Sequence, residues 1–190
     1  MSAAEHSPSV PGPEYSGEER AQLLALAHRA IAAALDGSEL DTAAPSPHLA
    51  ELRGAFTTLH LEGQLRGCVG YVAPKYPLYR TIAETAVAAA FYDTRFYPVT
   101  AAEAPRLKIE ISVLSPLFPI APEDVVIGRH GLCIAQGRHR GLLLPQVPTE
   151  HGWDRNTFLE QTCFKAGLPP DAWQHGATIE AFVAEVFGED

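Results

Sequence analysis

Two strand-like runs, GAFTTLHL (54–61) and QLRGCVGYV (64–72), flank the dipeptide Glu62-Gly63. Glycine supplies the positive φ that a two-residue turn demands, so the pair predicts a β-hairpin. A loop of that length pairs His60 with Leu65 and Thr57 with Cys68. Because side chains alternate faces along a strand, Arg66 and Cys68 then share one face and His60 belongs to the other.

The remaining pattern is mixed. Ser16 with Glu19 three residues on reads as a capping box. Behind it Leu24, Ala27, His28, Ile31 and Leu35 fall at helical spacing until Asp36-Gly37. Ser38 to His48 reads as a loop. Pro77 opens a second helix with Leu78, Ile82, Ala86 and Ala89 as its buried stripe, and its many alanines allow another backbone close. In RLKIEISVLS, Leu107, Ile109, Ile111 and Val113 alternate with mostly polar neighbours, as in a strand with one buried face. The last third repeats this order of elements. Two strands meet at Gly137, Asp154 caps a helix carrying Phe158, Leu159, Cys163 and Ala166, and TIEAFVAEVF completes a sheet as a strand. The expected class is α+β.

A chain of 190 residues with 46% hydrophobic and 19% charged residues is long enough to bury a core without staples. The first 15 residues lack a basic and an apolar region, so they read as a flexible leader rather than a secretory signal, with one folded unit over 16–190. Three cysteines, at 68, 133 and 163, form no CxxC; an odd count in an unexported chain favours reduced thiols and a cytoplasmic setting. A formal charge of −9 without a basic run disfavours direct binding to nucleic acid. The nearest approach to a basic run is GRHRG, around Arg138 and Arg140.

Recognisable chemistry is sparse. HExxH, HxH, zinc-spaced cysteines, a Walker loop, GxGxxG and GxSxG are all absent, so neither a metal nor a cofactor is expected. Cys68 stands out because a guanidinium from Arg66 on the same face favours thiolate over thiol. Gly67 and Gly70 beside it let a ligand or a second backbone approach. A buried, inert cysteine in a glycine-kinked strand predicts the same letters. Cys163 reads as core filler. Asp93 and Arg95 either position a polar ligand or pin a loop, and His130 is either a general base brought near Cys68 or an ordinary turn histidine.

LRGCVG (65–70), DTRFYPV (93–99), HGL (130–132), LLPQV (143–147), GWD (152–154) and CFKAGL (163–168), in this order, resemble the AMMECR domain family, whose bacterial and archaeal members are called protein A of the AmmeMemoRadiSam system. The resemblance runs from about residue 16 to the C-terminus. It implies two similar β-rich and helical halves sharing one curved, barrel-like, mainly antiparallel sheet with a cleft. It also implies the company of Memo-like and radical-SAM proteins, but no established reaction. From the strand face shared by Arg66 and Cys68, the expected site comprises Cys68, Arg66, His130 and Asp93 as reacting groups, with Arg95, Gly67, Gly70 and Gln146 for ligand binding. The expected function is a thiol-dependent enzyme or enzyme subunit modifying RNA or a small molecule. The other reading is a non-catalytic binding domain in which Cys68 is a packing device.

Overall fold

A computed structural model describes residues 13–40 and 43–189. Residues 1–12 of the expected leader lie outside the described residues, as do 41–42 of the Ser38–His48 loop. Tyr15, within the expected leader, is 1% exposed and packs in the core.

The first helix, α1 (Gly17–Asp36), starts where expected. The Ser16 hydroxyl accepts from the Glu19 N–H, the Glu19 carboxylate accepts from the Ser16 N–H, and Gly37 ends the helix at φ 68°. Leu23, Leu26, Ala27, Ala30 and Ile31 form its buried side. His28 flanks this stripe and pairs with Glu189 at 3.0 Å.

The hairpin β1 (Ala55–Leu61) and β2 (Gln64–Tyr71) turns through Glu62 and Gly63, both at positive φ. Leu61 pairs with Gln64 and His60 with Leu65, but Leu59 then faces Gly67, leaving Arg66 as the extra residue of a β-bulge. The bulge shifts the register beyond it. Thr58, not Thr57, opposes Cys68, and His60 therefore lies on the Cys68 face rather than the opposite one. The two-residue turn is legible in the sequence; the extra residue three positions after it is not.

Helix α2 (Leu78–Phe91) buries Leu78, Ile82, Ala86 and Ala89 as expected, and strand β3 (Leu107–Leu114) buries Leu107, Ile109, Ile111 and Val113. The second half follows with β4 (Phe118–Pro119), β5 (Gly131–Gln136), β6 (His139–Leu143), α3 (Gln146–His151), α4 (Arg155–Lys165), β7 (Thr178–Phe182) and β8 (Ala184–Gly188). Asp154 caps α4 through its carboxylate. Strand β6 ends at Leu143, and the short helix α3 takes up Gln146 and Val147 of the LLPQV motif.

The strands form two antiparallel four-stranded sheets, ordered β2-β1-β3-β8 and β4-β7-β5-β6. This corrects the expectation of one shared, barrel-like sheet, since no closed barrel forms among the described residues. The repeat is nonetheless plain. In each half a hairpin is followed by helix and strand, and that strand pairs with the first strand of the hairpin. Each half then lends a strand to the other: β3 runs on into β4, and β7 into β8. The exchange is pinned at the crossing, where the Ser115 N–H donates to the Val183 carbonyl (2.8 Å) and the Val183 N–H donates to the Ser115 hydroxyl (3.0 Å). TIEAFVAEVF is thus two strands, one in each sheet.

Glycine permits the same close packing in both halves. A Cβ on Gly67 would sit 2.2 Å from the Ala89 carbonyl oxygen of α2, and one on Gly141 would sit 2.3 Å from the Ala166 nitrogen just beyond α4. The approach anticipated at Gly67 is that of a helix backbone. Gly67→Ala is expected to destabilise the protein by about 2 to 4 kcal/mol, through a clash with backbone that no rotamer relieves. Gly137→Ala, at positive φ in open space, should cost about 1 to 2 kcal/mol. Urea unfolding of the two variants checks the order.

Candidate functional site

Strand β2 is an edge strand, so alternate N–H and C=O groups point away from its neighbour β1 and need partners. At Cys68 both are supplied by DTRF in the α2–β3 connection. The Asp93 carboxylate accepts from the Cys68 N–H at 2.9 Å, and the Arg95 guanidinium donates to the Cys68 carbonyl at 3.2 Å. Asp93 and Arg95 are themselves joined by a 2.7 Å ion pair, with the Asp93 side chain only 6% exposed. Two side chains thereby imitate a neighbouring strand at one residue. The hydrogen bonds from Arg95, together with those of the Cys68 and Arg95 amides, hold the Asp93 carboxyl well below the usual carboxylate range.

With its backbone fixed, Cys68 directs its side chain into a cleft of about 580 Å³ between the first sheet and the second half. The Thr58 hydroxyl donates to the Cys68 sulfur at 3.2 Å. Thr58 pairs with both Cys68 and Glu110, so cysteine, threonine and glutamate make a row across three strands on one face. Ser112 lies on the same face. The opposite wall is built from Arg129, Gln146 and Glu150. Among the described residues Glu110, Arg129 and Glu150 form no ion pair, which leaves charges of both signs available to a ligand.

The expected residues do not gather in one place. Cys68 and Gln146 share the cleft, and Asp93 and Arg95 brace it from behind Cys68. Arg66 is elsewhere: the bulge sends it to the α2–β3 connection, where it donates to Glu103 at 3.1 Å and to the Tyr97 carbonyl at 2.8 Å. Arg66, then the Thr100 N–H, draws the Glu103 pKa down to about 2. His130 is 8% exposed at the start of β5, with Nδ1 accepting from the Val126 N–H and an edge-on contact to Phe118. Burial pushes its pKa down, and it does not line the cleft. Gly70 lies under the Phe56 ring. Cys133 and Cys163 are fully buried, and burial raises both thiol pKa values.

Sequence reasoning misses Thr58, Glu110, Ser112 and Arg129. Glu110 and Ser112 are visible only as the polar half of an alternating strand, the pattern of a solvent face; the second half covers that face. Among the described residues, one group with metal-like spacing occurs, Glu14, His48 and Glu51, away from the cleft. Arg53 already pairs with Glu51 there at 2.9 Å.

The ion pairs beside Cys68 carry a pH signature. A carboxylate with a depressed folded pKa contributes stability above its unfolded value near 4, and that contribution disappears as pH falls through the folded value. For Glu103 the window runs from about pH 4.5 to 2. Glu103→Gln should be less stable than the parent at pH 7 and lose less stability between about pH 5 and 2.5, which thermal unfolding across that range measures. Equal acid sensitivity in the two proteins would contradict the pairing.

The AMMECR1 family model matches residues 24–187. Protein MK0488 of Methanopyrus kandleri is 41% identical over 191 residues, covering 94% of this chain and 92% of its own. Protein MJ0810 of Methanocaldococcus jannaschii is 46% identical, covering 73% of this chain and 74% of its own. The crystal structure of the uncharacterised protein PH0010 from Pyrococcus horikoshii superposes with a TM-score of 0.70 at 41% identity, covering 89% of this chain and 90% of that one. The matched span takes in both sheets and every cleft residue named above, so the chain belongs to the AMMECR1 family.

Proposed function

We propose that this protein is a thiol-dependent enzyme, or the thiol-bearing subunit of one, that takes a small polar substrate into the cleft between its halves. One observation carries the reading: Cys68 is held at both its N–H and its C=O by Asp93 and Arg95, while its sulfur opens onto unpaired charged groups. The clamp would serve the edge backbone whatever side chain stood there; what favours chemistry is that the fixed thiol faces a polar cleft, whereas Cys133 and Cys163 are fully buried. In the proposed step the sulfur bonds to an electrophilic substrate atom, the leaving group departs with its bonding electrons, and the thiol proton goes with it; Glu110, one strand beyond Thr58, faces the substrate rather than the thiol. Arg129 holds an anionic group of the substrate, and Gln146 a neutral polar one. Asp93, strongly acidic, is a positioning residue in this scheme rather than a proton carrier. The cleft volume suits a metabolite or a single nucleotide, which favours a small molecule over folded RNA.

Under the same proposal residues 16–190 are one domain, acting in the cytoplasm beside a Memo-like and a radical-SAM protein. A non-catalytic reading has one observation in its favour: Arg66 and His130, the partners expected for the thiol, are both committed outside the cleft.

Iodoacetamide and complementation separate the two. In the native protein Cys68 should alkylate, whereas Cys133 and Cys163 should react only on unfolding. Cys68→Ser should melt within a few degrees of the parent and fail to complement a deletion strain. Full complementation by a stably folded Cys68→Ser protein would remove the catalytic role.

A further inference from the structure

The two halves treat their hairpin edges differently. Strand β6 is the edge of the second sheet as β2 is of the first. Leu142 pairs with Cys133, which pairs in turn with Glu180, just as Cys68 pairs with Thr58 and Thr58 with Glu110. Leu142 is therefore the counterpart of Cys68. Gly137-Arg138 is a two-residue turn closed by Gln136 and His139, so antiparallel alternation aims the N–H and C=O of Arg140 and Leu142 away from β5. At Cys68 the equivalent groups are clamped by Asp93 and Arg95. At Arg140 and Leu142 no hydrogen-bond partner for them occurs among the described residues.

This bare edge faces a second cavity, of about 510 Å³, whose walls are mainly apolar and include Val72, Leu114, Pro116, Leu142 and Phe182. Gly141 is locked against the chain at the end of α4, which steadies the strand from its other side. The strand and its turn also carry Arg138 and Arg140 two residues apart, a basic pair in a chain of net charge −9. The Arg140 side chain touches the Cys133 thiol, lies 3.6 Å from Glu180 and is 58% exposed.

We propose that β6 is a docking edge for an extended acidic peptide of a partner protein, which adds as a fifth strand to the second sheet. Its backbone satisfies Arg140 and Leu142, an apolar side chain enters the cavity beside Leu142, and an acidic side chain two residues away meets Arg140. A second copy of this chain is the poorer occupant, because β6 (HRGLL) brings no acidic side chain to meet the arginines of the other copy. The site is separate from Cys68 and stands whether or not that thiol reacts.

The test uses a fluorescein-labelled, end-blocked peptide Glu-Thr-Leu-Thr-Glu, palindromic so that either strand direction presents the same face, and its Lys-Thr-Leu-Thr-Lys counterpart. By fluorescence anisotropy the acidic peptide should bind at least tenfold more tightly than the basic one. Arg140→Glu, checked for an unchanged melting temperature, should reverse that preference, and N-methylation of the peptide leucine should weaken binding at least tenfold. Hydrogen exchange should show the Arg140 and Leu142 amides protected only when peptide is present. No binding of the acidic peptide at millimolar concentration overturns the proposal, as does equal binding of both peptides. A homodimer with these two amides already protected overturns it in favour of self-association.

Discussion

The crossing at Ser115 and Val183 is the constraint on which the rest depends. Two short chain segments pass from one sheet to the other side by side, and each satisfies the other's backbone at the passage. Without the exchange, each half would be a hairpin, a helix and one further strand, a three-stranded sheet with little area to bury. With it, both sheets gain a fourth strand from the opposite half. The cost of ordering the crossing is met by pairing on both sides of it. The exchange also sets the two halves face to face, and the polar cleft and the apolar cavity both lie in the space between them, with Leu114 in the wall of each.

Within that frame the two hairpins have diverged from a common plan. Both press a glycine of their second strand against a helix backbone, Gly67 on α2 and Gly141 at the end of α4. Both helices carry a buried threonine four residues before that contact, Thr85 and Thr162, whose hydroxyls donate to the carbonyls of Thr81 and Phe158. The next residue differs. In the first half it is Cys68, clamped and polar-lined; in the second it is Leu142, with a free edge and apolar walls. One scaffold position thus yields a fixed thiol in one half and an open strand edge in the other.

Much of the fold is legible in the sequence because its cues are local. The capping box at Ser16, the Asp154 cap, the stripe of α2 and the alternation in β3 each depend on residues within one or two turns of one another. The failures are tertiary. Arg66 occupies a bulge that only the pairing of β1 with β2 reveals, and the register error at Cys68 follows from it. TIEAFVAEVF reads as one strand because the break at Val183 is made by Ser115, far away in the chain. Cys68 itself is legible, through its glycines and its family motif. Its actual neighbours, Thr58, Glu110 and Arg129, come from three separate elements that no spacing connects. Asp93 and Arg95 read as either ligand holders or a loop pin, and the geometry gives the second role a purpose: the loop is pinned to the thiol's own backbone.

If the strand exchange makes the two halves one cooperative unit, they must lose their structure together. Amide hydrogen exchange, read by mass spectrometry across a urea gradient for peptides from β1 and from β5, reports the two halves separately in one experiment. A single shared midpoint for both peptides is the expected result. Exposure of one sheet at distinctly lower urea than the other would show that the crossing at Ser115 and Val183 does not bind the halves into one unit, and would contradict the strand exchange as the physical basis of the cleft.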